Sequence, residues 1–476
     1  MSLGRHTLAN VAGAVVPMAV ALITVPLYLK VIGTERYGAL SIIWVLLNYF
    51  MFFDFGLGRA VAQRLSSIQF GLAGPEAGAL VWTAAIATLI ASSIGGASLW
   101  WVADWYMTSR VKMDAALAAE ASLAVRWLPV VLPVILLSSI LQGALQARLK
   151  FYQLNVVQSV AGVVTQLLPL AVAAAGYIQL QYLIPAVLLP RLLAGWAMAV
   201  LARRYVPIGR AQFNWVQLKR LLVYGGWISL NSIFAPLLVV LDRVLIGAVL
   251  GARYVTYYTV PYDLVTKLMI LPGSLSSAIF PRLATSTDPV ALADESTSLL
   301  IKTMTPVVTL AILVVEPLLD LWVGPELARY GGPVAQLILV GIWINALVIP
   351  HNARMLATKN PRDITIIYLI QLPVYVVGLW FAIRECGVVG AAAAWSMRVL
   401  VDTTMILALA RSLARIAAMA FLPMAVVAMA MVAANQLEFC TEYWWISVLV
   451  LLGIAMYGAR TLMALAIRPA LAMVRR

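Results

Sequence analysis

Long apolar stretches recur along the whole chain, and they constrain its fold more than any other feature. Each has about the 20 residues that a helix needs to cross a bilayer, and the polar segments between them are short. Backbone polar groups in lipid must be satisfied internally, so such stretches span as helices. We predict an all-α polytopic membrane protein with fourteen transmembrane helices. The predicted spans are 8–32, 37–58, 77–102, 123–147, 154–177, 179–201, 221–250, 254–281, 299–321, 333–357, 363–383, 388–410, 416–435 and 443–466.

Composition excludes several other classes of protein. The chain is 63% hydrophobic and only 11% charged, which no soluble protein of 476 residues matches. The net charge of +14 could suggest nucleic acid, but the basic residues lie singly at span ends, so no nucleic-acid partner is expected. Two cysteines and two histidines are too few for a disulfide framework or a Cys/His metal cluster. We therefore expect neither a metal nor a cofactor.

The loops show no sign of an enzyme. Neither a Walker A motif nor an HExxH, usable GxSxG or CxxC motif is present, and no loop is long enough for a catalytic domain. Any transport by such a chain would therefore use a gradient, of protons or sodium ions, and not hydrolysis.

The distribution of Lys and Arg predicts the orientation. With the N-terminus inside, the inner loops and tails hold most of the basic residues, so both termini are predicted to be cytoplasmic. This topology places Cys386 and Cys440 on the outer side. They are either two unrelated residues or a disulfide in an oxidising compartment.

Eight charged residues lie deep within the predicted spans. A charge at the centre of an inserted helix costs roughly 2.5–3.5 kcal/mol, so such residues normally face a bundle interior or a wet cavity. The cations could bind an anionic cargo, and the acids could couple an ion or line the cavity. The deep cations are Arg191, Arg243, Lys267 and Arg398, and the deep acids are Asp54, Asp242, Asp263 and Asp402.

Some of these residues also allow a structural interpretation. Asp263 and Lys267, like Arg398 and Asp402, are four residues apart and could neutralise each other on one helical face. Arg59 follows the glycines of span two and is either an inner-end anchor or a further cavity cation.

The inner ends of several spans carry additional basic residues, which suit an anionic cargo arriving from the cytoplasm. They are Arg148, Lys150 and Arg354. His351 lies one turn before Arg354 and is either a proton acceptor or a structural hydrogen-bond donor.

A weak internal repeat divides the chain. Gly33-x-x-Arg36-Tyr37 follows span one, and Gly251-x-Arg253-Tyr254 follows span seven, six spans later and in the same direction. Parallel repeats are a common transporter plan, with the site between the halves. We predict an N-terminal lobe of spans one to six in residues 1–205, a second lobe of spans seven to twelve in 206–412, and two additional spans in 413–476.

The stretch PLYLKVIGTERYGALSIIWVLLNYFMFFDFGLGRAVAQR resembles the opening of bacterial polysaccharide-biosynthesis membrane proteins. These are the O-antigen-type flippases of the multidrug/oligosaccharidyl-lipid/polysaccharide exporter superfamily. The likeness covers residues 5–66 and 220–285. In the second half it rests on Asn231, Pro236, Asp242, Arg243, Gly247, Gly251 and the segment 257–281.

The resemblance implies two six-helix lobes facing each other in a V, followed by two extra helices. It also implies a flippase of the bacterial inner membrane. The cargo would be an oligosaccharide on a polyprenyl pyrophosphate, moved from the inner to the outer leaflet by alternating access for surface polysaccharide assembly. A polysaccharide polymerase and chain-length machinery would be partners.

Two other functions stay open. A cation-coupled drug or metabolite exporter of the same superfamily would usually lack the last two spans and a cationic cavity. A polymerase or ligase of the same pathway would need a large outer loop with catalytic basic residues.

Overall fold

The computed structural model describes residues 19–66, 74–206, 212–358, 362–437 and 439–456. Every regular element in these ranges is helical, which confirms the all-α prediction. The helices are α1 Ala19–Ile32, α2 Thr34–Tyr49, α3 Leu57–Ser66, α4 Gly74–Ser109, α5 Ala115–Val125, α6 Leu128–Ala147, α7 Phe151–Ala174, α8 Leu180–Tyr205, α9 Trp215–Val249, α10 Ala252–Val265, α11 Ile270–Thr285, α12 Pro289–Val323, α13 Pro325–Thr358, α14 Arg362–Leu409, α15 Leu413–Gln436 and α16 Glu442–Met456. Short 3₁₀ segments, Phe50–Asp54 and Thr266–Met269, follow α2 and α10.

Ten of the described helical segments are long and apolar enough to cross a membrane. One of them is Ile366–Leu409, which covers two predicted spans. α14 is broken inside this segment at Gly387, whose φ of 61° and ψ of −140° are not helical. α1 and α16 are apolar but shorter in the described part of the chain. The chain is thus a multi-pass membrane protein, and the count of fourteen spans stays a prediction.

The chain divides into two compact units. Unit 1 is Met1–Thr256 and unit 2 is Tyr257–Arg476. Unit 1 therefore contains α9 and the first turn of α10 in addition to the six spans assigned to the N-terminal lobe. The lobe boundaries drawn from the repeat stay predictions.

The two glycines of the repeat have the same structural role. Gly33 separates α1 from α2 with φ 82°, and Gly251 separates α9 from α10 with φ 117°. Both values lie in the left-handed region that favours glycine. The repeated sequence thus forms the same helix–glycine–helix break twice.

Within unit 1, the turn between α9 and α10 is held by the loop that follows α4. The backbone N–H of Lys112 donates to the carbonyl of Gly247 (3.3 Å), and that of Ala252 donates to the carbonyl of Lys112 (3.1 Å). The Lys112 Nζ also donates to the carbonyl of Val249 at 2.7 Å. Nearby, the Thr256 hydroxyl donates to the carbonyl of Thr34 at 2.7 Å. The first turn of α10 is therefore bonded to the start of α2.

Glycines also allow α3 and α6 to cross closely in unit 1. A Cβ on Gly143 of α6 would lie 2.1 Å from the carbonyl oxygen of Gly58 of α3. Only glycine permits this separation, since any larger residue would overlap the facing backbone. This crossing fixes α6, which forms one wall of the cavity described below.

In unit 2, α12 and α13 pack along each other, and α15 packs against α12. The buried Trp343 of α13 donates its indole N–H to the hydroxyl of Thr305 of α12 at 3.0 Å. Asn435 of α15 donates to the side-chain oxygen of Gln336 of α13 at 3.2 Å. These polar contacts link three helices of unit 2.

Candidate functional site

Unit 1 contains a cavity of about 590 Å³ between α1, α2, α6, α7 and α8. Its size is typical of sites that hold a small molecule, roughly 300–1,000 Å³. The cavity is lined by Val25, Tyr28, Tyr37, Leu40, Ser41, Trp44, Ile135, Ser138, Gln142, Gln158, Ala161, Gly162, Thr165, Gln166, Pro169, Leu183, Val187, Arg191, Ala194 and Met198.

Arg191 is the charged residue of this cavity. It lies in the interior of α8, and no other described lining residue is charged. Its guanidinium carbon lies 5.3 Å from the centroid of the Trp44 ring. This cation–π contact is worth about 0.5–2 kcal/mol, but it does not neutralise the charge. Since arginine does not lose its proton in proteins, the cavity is positive and suits an anionic ligand.

Amide and hydroxyl groups line the same cavity as the cation. Gln166 is held in place by α1, because the Thr24 hydroxyl contacts its side-chain oxygen at 3.1 Å and the Tyr28 hydroxyl donates to its carbonyl at 2.8 Å. The hydroxyls of Ser41 and Ser138 each donate to a carbonyl of their own helix at 2.8 Å. Their lone pairs can still accept, and the amide groups can donate, so the wall suits a ligand rich in hydroxyls.

Aromatic rings complete the wall on the side of α1 and α2. Tyr28 and Tyr37 have ring centroids 6.3 Å apart, and Trp44 lies two turns further along α2 than Tyr37. Tyr and Trp combine an apolar face with a polar group, which suits a ligand of mixed character such as a sugar ring.

Sequence reasoning located Arg191 but missed the rest of the cavity. The missed lining residues of α7 follow a helical period: Gln158, Gly162, Thr165, Gln166 and Pro169 occupy one face. Glutamine and threonine spaced in this way within an apolar helix are a signal that the sequence contained. The aromatic residues gave no such signal, since Trp and Tyr are also common at membrane interfaces.

Asp54 lies where α2 gives way to α3, close to this cavity but not among its lining residues. Phe55 and Gly56 adopt φ values of 47° and 66°, and this turn breaks the helix immediately after Asp54. The carboxylate accepts a hydrogen bond from the Ser139 hydroxyl of α6 at 2.9 Å. Ser139 is the neighbour of the cavity residue Ser138. Arg59, on α3, is exposed.

Asp242 and Arg243 are both buried within α9. The Asp242 carboxylate accepts a hydrogen bond from the backbone N–H of Arg243 at 2.9 Å. Their burial agrees with the expectation that charges in a span avoid the lipid.

In unit 2, Arg398 and Asp402 lie on the second half of α14 and meet side chains of its first half. Gln371 donates to the Asp402 carboxylate at 3.4 Å, and the Arg398 guanidinium lies 5.5 Å from the Tyr375 ring centroid. These two pairs show that the halves fold back on each other around Gly387. Asp402 is buried and Arg398 is half-buried.

Asp263 and Lys267 are both exposed. Asp263 is in the last turn of α10, and Lys267 lies in the following 3₁₀ segment, whose tighter turn changes the spacing of an i,i+4 pair. Both cysteines, Cys386 and Cys440, are exposed and free. The roles assigned to these residues, and to the other deep charges, stay predictions.

Comparison with known proteins identifies relatives. A family model described as "Polysaccharide biosynthesis protein" matches residues 3–287. The chain is 24% identical over 409 residues to a protein of Shigella flexneri named "Putative O-antigen transporter", covering 85% of this chain and 97% of that protein.

Two solved structures share the fold. The "Lipid II flippase MurJ, inward closed conformation" has a TM-score of 0.74 at 11% identity and covers 98% of this chain and 100% of that one. A multidrug resistance MATE family transporter of the MOP superfamily, in an inward-facing conformation, has a TM-score of 0.65 at 15% identity, with coverages of 86% and 98%. At these identities the likeness is one of fold alone.

Proposed function

This chain belongs to the polysaccharide biosynthesis protein family, and we propose that it flips a polyprenyl-pyrophosphate-linked oligosaccharide across the bacterial cytoplasmic membrane. The cargo would move from the inner to the outer leaflet for surface polysaccharide assembly. The Shigella flexneri relative, by its name an O-antigen transporter, supports this class of cargo. Both termini would face the cytoplasm, and a polysaccharide polymerase with its chain-length machinery would act on the flipped product.

The observation that carries this proposal is the environment of Arg191. A permanent cation without a neighbouring carboxylate in the described cavity wall suits phosphate oxygens, while the surrounding amides, hydroxyls and rings suit a sugar. Arg59, Arg243, Lys267 and Arg398 would supply further positive charge along the transport path. Asp54, Asp242, Asp263 and Asp402 would bind the coupling ion or line the path.

Movement would follow alternating access driven by an ion gradient, with a proton or sodium ion as the coupling ion. The hydrogen bonds that hold the α9–α10 turn to Lys112 and Thr34 would break and re-form in each cycle. They are backbone-centred contacts at a glycine break, and such positions absorb large dihedral changes.

Substitution of Arg191 tests the proposal. Arg191→Ala removes charge-assisted contacts worth about 1.5–3 kcal/mol each, which corresponds to roughly a 10- to 100-fold loss of cargo affinity. We expect it to abolish surface-glycan complementation in a strain lacking its own flippase, at unchanged membrane abundance. Arg191→Lys keeps the charge but loses the planar fork and should complement partially.

Arg203→Ala is the matched control, because Arg203 is an exposed arginine in the last turn of the same helix. It should complement fully. Full complementation by Arg191→Ala would refute the proposed role of the cavity. Drug resistance conferred by the wild-type gene, without glycan complementation, would instead favour the exporter function.

A further inference from the structure

Four ionisable side chains of unit 2 meet at one end of α12, α13 and α15, and the function proposed above uses none of them. The Asp294 carboxylate of α12 lies 3.3 Å from His351 Nε2 of α13 and 2.6 Å from a guanidinium nitrogen of Arg415 of α15. Arg354, one turn after His351, donates to the carbonyl of Ala410 at 3.0 Å. A single carboxylate thus has two candidate partners on two different helices.

The cluster is buried on one side and open on the other. His351 is fully buried and the Asp294 side chain is 9% exposed, whereas the Arg415 side chain is 57% exposed. Water therefore reaches the cluster on the Arg415 side, and a proton can arrive there from solution. By the predicted topology this end of unit 2 faces the cytoplasm.

The contacts of Asp294 are ionic and poorly aligned. Neither of its oxygens makes a well-aligned hydrogen bond with a described residue, and neither ring nitrogen of His351 does so. Such a carboxylate is held by charge and not by a directional bond, so one cation can replace another, whereas losing every counter-charge would leave a costly unpaired buried charge.

We propose that a proton on His351 and the guanidinium of Arg415 are alternative counter-charges of Asp294. In one state Arg415 neutralises the carboxylate and His351 is neutral. In the other, a proton from water binds the free ring nitrogen of His351, the resulting imidazolium neutralises Asp294, and Arg415 leaves with the start of α15. The proton adds one charge as the guanidinium removes one, so the total charge of the cluster is conserved.

The other charges near the cluster favour replacement of Arg415 by the protonated His351 over simultaneous pairing of both with Asp294. The charged groups that act on His351 are Asp294, Arg354 and Arg415. Arg282 near the end of α11 and Arg411 in the turn before α15 are exposed. Arg354 is held at the carbonyl of Ala410 and also interacts with Asp288, so a protonated His351 and Arg415 would compete for the single Asp294 carboxylate. Protonation of His351 therefore displaces Arg415, the cation with an open route to solvent.

A distance measurement tests this exchange directly in the full chain. Spin labels at Ala291→Cys on α12 and Ala414→Cys on α15, with Cys386 and Cys440 replaced by serine, report the separation of these helix ends in nanodiscs. Between about pH 7.5 and about pH 4, a range that extends below the usual histidine range because His351 is fully buried, we expect a longer distance to appear. His351→Gln should abolish the shift, and Arg415→Gln should give the longer distance at both pH values. Arg411→Gln, an exposed arginine of the same turn, is the control and should respond like the wild type.

We assign this proton to the coupling of transport. That assignment rests on the proposed flippase function, and complementation of surface glycan tests the flippase function separately from the proton site. A distance that does not change with pH in the wild type, or that changes equally in His351→Gln, would overturn the proton site even if the wild-type gene complements. A pH response that depends on His351, without complementation, would support the proton site and refute the flippase function. Size-exclusion profiles and melting curves of each variant show whether it is folded.

Discussion

Substitution of Gly143 by alanine should destabilise unit 1 and disturb the cavity from a distance. The added Cβ would lie 2.1 Å from the carbonyl oxygen of Gly58. Because non-bonded heavy atoms do not approach much closer than about 3 Å, α3 and α6 would have to separate by roughly 1 Å. Overpacking of this kind costs about 1–3 kcal/mol.

The same movement acts on a hydrogen bond one turn away. The Ser139 hydroxyl lies 2.9 Å from the Asp54 carboxylate, and a separation of roughly 1 Å would take it beyond hydrogen-bond range. Losing a hydrogen bond to a partly buried carboxylate adds about 1.5–3 kcal/mol. The total destabilisation is therefore about 2.5–6 kcal/mol, enough to threaten the fold of a marginally stable protein.

Thermal unfolding of purified protein in detergent measures this effect. Gly143→Ala should lower the melting temperature and reduce membrane abundance. Gly378→Ala is the matched control, because Gly378 is also a helical glycine, but no side chain or neighbouring helix among the described residues lies within 4 Å of the position that its Cβ would occupy. It should unfold at the wild-type temperature or above it, since alanine favours helix. Equal melting temperatures for Gly143→Ala and the wild type would refute the close crossing of α3 and α6.

Three further predictions address the cavity, the topology and the thiols. Gln166→Leu should impair glycan complementation because it removes an amide that α1 holds at the cavity wall, whereas Gln146→Leu on the exposed face of α6 should be neutral. Loss of function in both variants would refute a specific role of Gln166 in the cavity. A reporter fused near Asp114 should signal the outside, and one fused after Arg476 the cytoplasm; the reverse pattern would invert the topology. A membrane-impermeant thiol reagent should label both Cys386 and Cys440 without prior reduction, since both are exposed and free, and labelling only after reduction would reveal a disulfide.

Much of the fold could be predicted from hydropathy. The helices α6, α7, α8 and α15 coincide with predicted spans to within several residues, because the transfer of apolar side chains into lipid is a local property of each segment. Hydropathy also predicted polar surroundings for the deep charges. Asp242, Arg243 and Asp402 are buried whereas Asp263 and Lys267 are exposed, and their roles stay predictions. The break at Gly387 was predicted as a loop between two spans.

The site could be predicted only in part. Arg191 was recognisable because an arginine in the middle of an apolar span is costly wherever the helix packs. Its neighbours were not, since Trp44 lies on α2 and Gln166 on α7, and hydropathy does not show which helix faces meet. The sequence did not indicate Asp294 as a site residue, because it lies near a helix end, where acidic residues are common.

The sequence by itself determined the class of protein, the positions of several of its helices and the presence of charges that lipid cannot solvate. The tertiary structure decided which side chains the charged residues contact. Asp54 bonds Ser139 because the glycines of α3 and α6 let those helices cross closely, and Asp402 meets Gln371 because α14 folds back at Gly387. Asp294 and Arg415 are far apart in the chain and are paired only because α15 packs on α12. The physical reason is that insertion into lipid acts on each segment separately, whereas ion pairs and cavities depend on which helix faces pack together.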